Sequence, residues 1–384
     1  MSRFRVNRPA LALAAALLPA AAMAQSTPPD GASGGPRVLG PAVPPPSSEP
    51  RDTRSWEQDG VQVIPGDSGR SAVEVGSLGG VDNSAVGLLD SANGGLGGDL
   101  WRGASRETVA SLLPRLPMAS ASSAVNGLTR RLLLTTAAAP AGDWGTRSFI
   151  GMRLEKLADG GLNADLAALV SRMVEPNARA RELRLESLLL EGKDADACGD
   201  ASAERLQSNE TYWLKVRALC YAVEGNLPGV SLTMELIRSQ GVDEEMFLAL
   251  GAQIAEATPA KIETYRDPTA IGLAMFRLAG AAVTAETLKM ADPGELRSIA
   301  LLHTASGDVQ MAAAEMAAAI GVFDPAELAK LYAAVKFKAK LFDNVAKSAA
   351  SLTTPSANAL FYQAAGRPKD MGARAKALSA ALDF

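Results

Sequence analysis

Histidine is nearly missing from this chain: His303 is the only one in 384 residues. Cysteine is almost as scarce, with Cys198 and Cys220 alone, and aromatic residues make up only 5%. Each shortage excludes a chemistry. A single histidine, with no Cys, His or carboxylate at ligand spacing around it, does not make a zinc site. The reading for His303 is a partly buried helical residue. Few aromatics leave little with which to build stacking platforms for bases or sugars. Basic residues are not in excess either, 38 against 42 acidic, which argues against sequence-independent nucleic-acid binding. Past residue 24, no run approaches the roughly 18 apolar residues of a membrane helix.

What the chain does carry begins with an address. Arg3, Arg5 and Arg8 precede the short apolar run 10–18, and Ala22-Met23-Ala24 places small residues before Gln25. That is the pattern of a secretory signal peptide over residues 1–24. Gln rather than Cys after the cut argues against a lipid anchor. Losing three arginines takes the formal charge from −4 to −7. The expectation is a periplasmic protein with no membrane span. In that oxidising compartment Cys198 and Cys220 read as a disulfide closing a loop of about 20 residues, stabilising by ~3 kcal/mol. Two buried free thiols are the alternative.

Residues 25–60 are rich in Pro, Gly, Ser and Ala, with Pro-Pro at 28–29 and Pro-Pro-Pro at 44–46. Such a segment buries too little apolar surface to offset its ordering entropy and is expected to be a disordered tether. Residues 61–99 alternate valines with polar residues between glycines, which predicts an extended arm with short strands laid against the helical domain. From residue 100 to 384 the pattern is helical. Ser105 caps one predicted helix, which Pro114 and Pro117 end; a second starts near Ser122. Beyond them the order is helix, Gly turn, helix, with Gly160, Gly192, Gly225 and Gly307 at the turns. Val216, Leu219, Cys220 and Val223 share a face, as do Val309, Ala313, Met316, Ala317 and Ile320.

Helical hairpins of about 33 residues with Gly-Asn or Gly-Asp turns resemble tetratricopeptide (TPR) repeats. Ala313 and Ala317 stand where small packing residues are expected, and Pro325 opens the next helix. The W-x-x-L-G-x-x-Y signature is absent as a unit. The resemblance covers roughly 145–384 and implies an all-α fold, a right-handed α-solenoid of helical hairpins with a concave groove.

Four places invite a chemical reading. Gly66-Asp67-Ser68-Gly69 spells the nucleophile motif of trypsin-like proteases, but no histidine precedes it and the chain after it is helical, so Ser68 is read as a turn residue. Asp194, Asp196, Cys198, Asp200 and Ser202 fall at calcium-loop spacing, with Arg205 where the loop needs a bidentate Glu. The stronger reading is a hydrated acidic loop, so no metal and no cofactor are expected. Lys336, Lys340 and Lys347 can share a face of a helical stretch over 326–349 and offer an anionic partner a patch; a solvated face is the competing reading. Glu186-Ser187 spells the Glu-Ser of soluble lytic transglycosylases, whose alanine-rich superhelix this chain also resembles, but inside a repeat helix.

These features point to a non-enzymatic protein-binding scaffold of the bacterial cell envelope, taking a protein or peptide in its groove. A peptidoglycan-associated enzyme or its accessory subunit is the alternative. The last predicted helix, about 370–382, aligns Leu378, Leu382 and Phe384. That row either packs back on the preceding pair or stacks against a second copy.

Overall fold

The computed structural model describes residues 83–382, apart from 121, 143, 145–147, 242, 258–264, 267 and 369. The signal peptide, the tether, Ser68, the arm through residue 82 and Phe384 lie outside the described residues. Within them the fold is all-α. The remainder of the 61–99 arm carries turns rather than a strand. Its one pairing is an isolated bridge from Leu89 to Thr135.

Helix starts follow local chemistry. Ser105, Ser122 and Ser148 each accept a backbone N–H at the head of α1 (Arg106–Leu112), α2 (Ser123–Leu134) and α3 (Phe149–Asp159). These side chains satisfy amides that have no partner inside the helix. Asn177 and Asn226 do the same for α5 (Ala178–Leu190) and α9 (Leu227–Ser239). Between them lie α4 (Asn163–Ser171), α6 (Asp194–Asp200), α7 (Glu204–Gln207) and α8 (Thr211–Val223). Next come α10 (Glu245–Glu256) and α11 (Ala270–Leu278), the latter capped by Thr269. Asp292 and Glu295 form a capping box on α12 (Pro293–Ala300), and Ser306 caps α13 (Gly307–Ala319). The chain closes with α14 (Pro325–Ala334), α15 (Val345–Ala349), α16 (Thr354–Gly366) and α17 (Met371–Leu382).

Neighbouring helices pair as hairpins, most extensively α4 with α5, α8 with α9 and α12 with α13. The turn glycines differ in part from the sequence reading. Gly161, not Gly160, takes the left-handed backbone, and Gly307 opens α13 rather than ending a turn. Gly161 is doubly constrained: a Cβ there would also sit 2.6 Å from the Gly294 amide nitrogen, where α12 starts.

Contacts also run far beyond sequence neighbours. The hub is α5, which packs on α3, α4, α6, α11 and α12. Arg297 on α12 donates to Glu191 just after α5, 106 residues away, at 3.1 Å. Asn126 on α2 donates to the Ile320 carbonyl after α13, 194 residues away, at 2.9 Å. A one-dimensional repeat row touches only its neighbours; here later hairpins return to α5. The burial of α11 follows from this. Seven of its nine residues, Ala270 through Phe276, are buried, because α5, α8, α10 and α12 all meet it. The main core joins α5, α8, α9 and α11–α13, while Leu133, Phe149, Leu154, Leu157 and Leu166 centre a second core at the N-terminal end.

Candidate functional site

The acidic stretch is a helix, neither a calcium loop nor the hydrated loop expected from the sequence. Asp194, Asp196 and Asp200 lie on α6, where Asp194 and Asp196 occupy the first turn and complement its N-terminal dipole. At 100° per residue, Asp194 points about 160° away from Asp196. Asp194 is bound by Arg277 and Asp200 by Arg184 at 3.0 Å. Among the described residues no three His, Cys, Asp or Glu side chains gather as a metal ion requires. Cys198 and Cys220 are joined in a disulfide that pins α6 to α8.

The lysines are also placed differently from the sequence reading. Helix α14 stops at Ala334, residues 335–338 are not helical, and a 3₁₀ turn covers Ala339–Phe342 before α15. Lys336, Lys340 and Lys347 therefore share no helix face, although all three are exposed. The alternation Val335-Lys336-Phe337-Lys338 is the reason: the two apolar residues turn inward and the lysines outward. His303 is exposed in the turn between α12 and α13, because α12 ends at Ala300.

Glu186 and Ser187 sit on α5. Ser187 is buried, and the Glu186 carboxylate accepts from the Tyr212 hydroxyl at 3.3 Å. Burial raises the Glu186 carboxyl above its ordinary value, against the opposing pull of Arg179 and the Tyr212 bond. A second pair of this kind joins α13, α14 and α16. Glu315 accepts from Tyr332 at 2.7 Å and from Asn358 at 3.0 Å, and burial raises its carboxyl as well. Both groups hold helices together.

The N-terminal core contains a buried cation. Arg153 on α3 is 1% exposed. It donates to the carbonyls of Leu133 at 2.8 Å, Val86 at 2.7 Å, and Ser84 and Thr135 at 3.3 Å. Desolvation lowers it to about 10, which leaves it charged at neutral pH. The guanidinium is thus held by carbonyls at the end of α2, the negative end of that helix, and it ties residues 84–86 to the core.

The surface that sequence reasoning missed lies on α9 and α10. Val230, Thr233, Met234 and Ile237 make the buried face of α9, yet Leu232 is 64% exposed and Leu236 39%. On the α10 side, a recess of about 430 Å³ is lined by Arg238, Asp243, Glu244, Glu245, Leu248, Ala249 and Ala252. Asp243 and Glu245 are its exposed carboxylates, while Glu244 is paired with Lys215 and Arg238 with Glu235. Leucines off the buried stripe were the available signal, but a sequence does not show which leucines lack a partner helix.

The chain is matched by no protein-family model, no curated protein and no solved structure.

Proposed function

We propose that this chain is an exported, non-enzymatic binding protein of the bacterial cell envelope, built from TPR-like helical hairpins as a short solenoid closed onto α5. The carrying observation is the pair of solvent-facing leucines on α9, Leu232 and Leu236, one turn apart. Residues four apart are neighbours on a helix surface, so the two leucines form a contiguous exposed apolar strip, and contiguous exposed apolar surface marks interaction sites. The exposed carboxylates Asp243 and Glu245, just after α9, favour a partner segment with apolar side chains flanked by Lys or Arg. Two features support export: the leader pattern at residues 1–24 and a buried disulfide, which persists in oxidising compartments.

Photocrosslinking residues at positions 232, 236 and 248 should capture one envelope protein, whereas the same group at Met290, exposed elsewhere, should not. Leu232→Glu with Leu236→Glu should abolish capture while leaving the melting temperature unchanged, since surface substitutions seldom exceed about 0.5 kcal/mol. Equal labelling from all positions would refute the reading. Release of muropeptides from purified peptidoglycan would instead support the enzymatic alternative at Glu186.

A further inference from the structure

Basic residues are unevenly spread along this chain, and so are their partners. Residues 330–384 hold nine Lys and Arg against three Asp and no Glu, although acidic residues outnumber basic ones over the whole chain. Seven of the 12 lysines lie there, but only two of the 26 arginines. Upstream, Arg130, Arg184, Lys215, Arg277 and Arg297 each meet a carboxylate. Among the described residues, Lys336, Lys338, Lys340, Lys347, Arg374 and Lys376 meet none.

These cations surround one small core. Ala349, Ala357, Leu360 and Phe361 are buried, with Phe337, Leu341, Phe342, Ala380 and Ala381 packed around them. Segment 335–338, the 3₁₀ turn, α15, α16 and α17 each send apolar side chains inward, and the lysines are left outside. Helix α17 then adds a second feature. Met371, Leu378 and Leu382 fall within about 40° of one another around its axis. Met371 is 71% exposed and Leu382 67%, while the packed side of the helix is carried by Ala380 and Ala381.

The residue types decide between partners. A protein carboxylate is best met by the planar fork of arginine, whereas a lysine ammonium is a point charge on a flexible stem with no fixed geometry. Clustered lysines suit a diffuse negative field, and the exposed Met371 and Leu382 of α17 offer apolar side chains to the acyl boundary behind it. We propose that residues 330–382 form a docking surface for an anionic phospholipid membrane. Lys336, Lys338, Lys340 and Lys347 engage the headgroups, and the Met371–Leu378–Leu382 ridge enters the acyl boundary. This surface is built from other helices than the α9–α10 recess and does not depend on it.

Co-sedimentation of the purified protein with vesicles tests this. Binding is expected to vesicles of mixed phosphatidylglycerol and phosphatidylcholine, and not to phosphatidylcholine alone. It should be lost in about 0.5 M salt, where surface charge is screened. Each engaged lysine contributes roughly fivefold in partitioning, so the triple variant K336E/K338E/K340E should lose on the order of 100-fold or more. Met371→Ser with Leu382→Ser should lose about tenfold at unchanged charge. All five side chains are exposed and form no ion pair among the described residues, and unchanged circular-dichroism melts would exclude misfolding. The proposal is overturned by equal binding to both vesicle types, by no binding to either, or by charge reversal without effect. It is also overturned if sedimentation velocity shows a salt-sensitive dimer that the triple variant dissolves while vesicles bind nothing, because the surface then belongs to a second copy.

Discussion

Arg277 on α11 closes a two-pronged pair on Asp194 of α6, Nε to Oδ2 at 3.0 Å and Nη2 to Oδ1 at 2.5 Å. The same Nη2 donates to the Leu189 carbonyl at 3.1 Å, so one side chain holds the end of α5, the start of α6 and α11 together. Both partners are mostly buried, at 17% and 14% exposure. Removing one member leaves the other desolvated and unpaired, which costs more than the pair itself contributes. Arg277→Ala should lower stability by about 2 kcal/mol or more. Asp194→Asn in that background should restore part of the loss, as denaturant midpoints of the four chains will show. An additive double variant would mean the pair carries no coupling.

The disulfide should matter for a related reason. Helix α6 has seven residues, too few to persist in isolation, and Cys198–Cys220 ties it to α8 across a 22-residue separation. Reduction, or Cys198→Ala with Cys220→Ala, should cost ~3 kcal/mol by releasing that loop in the unfolded chain. Urea titrations with and without reductant measure the loss directly. Matching midpoints would show that packing alone holds α6.

Much of this architecture is legible residue by residue. Ser105, Ser122 and Pro325 announce helix starts because capping is a local event, satisfied by the residue itself. Cys198 and Cys220 are readable as a pair because they are the only two cysteines. His303 is misplaced by sequence because Leu301, Leu302 and Ala305 continue an apolar pattern past Ala300; Leu302 and Ala305 are indeed buried, but from a turn. In Val335–Lys338 a period of two is present and is outweighed by the helical composition around it. The return of α11 and α12 to α5 is not legible at all. It rests on apolar packing of α5 against α11 and α12, with Arg277 and Arg297 reaching Asp194 and Glu191, and nothing local distinguishes those arginines from surface ones. The α9–α10 surface is hidden likewise, since Leu232 and Leu236 look like core leucines until the neighbouring helices are placed.

Arg153 offers a test of the N-terminal core. Four carbonyls from two separate segments accept from it, and among the described residues no carboxylate does so. Arg153→Met keeps much of the volume but removes every donor, and should cost about 3–5 kcal/mol. Amide exchange at residues 84–89 should rise well before the rest of the fold opens, because Arg153 anchors that segment. Arg153→Lys should not rescue it, as a single ammonium lacks the fork that spans both segments. Unchanged exchange at Val86 and Leu88 would contradict this role.

The Glu315 carboxyl carries a definite sign in pH. Burial raises it above its ordinary value of 4.5, so the folded chain keeps the proton to higher pH than the unfolded chain does. Its contribution to stability is therefore complete below the ordinary carboxyl range. It is lost as pH rises from there through the raised value, because ionisation is then easier in the unfolded chain. Glu315→Gln removes that titration while its amide oxygen still accepts from Tyr332 and Asn358. The variant should match the parent chain in melting temperature at acidic pH and exceed it at neutral pH, with the gap opening across the carboxyl range. Melts taken in steps from acid to neutral pH read the difference directly. A gap that closes as pH rises would reverse the sign and show that the Tyr332 and Asn358 hydrogen bonds outweigh desolvation.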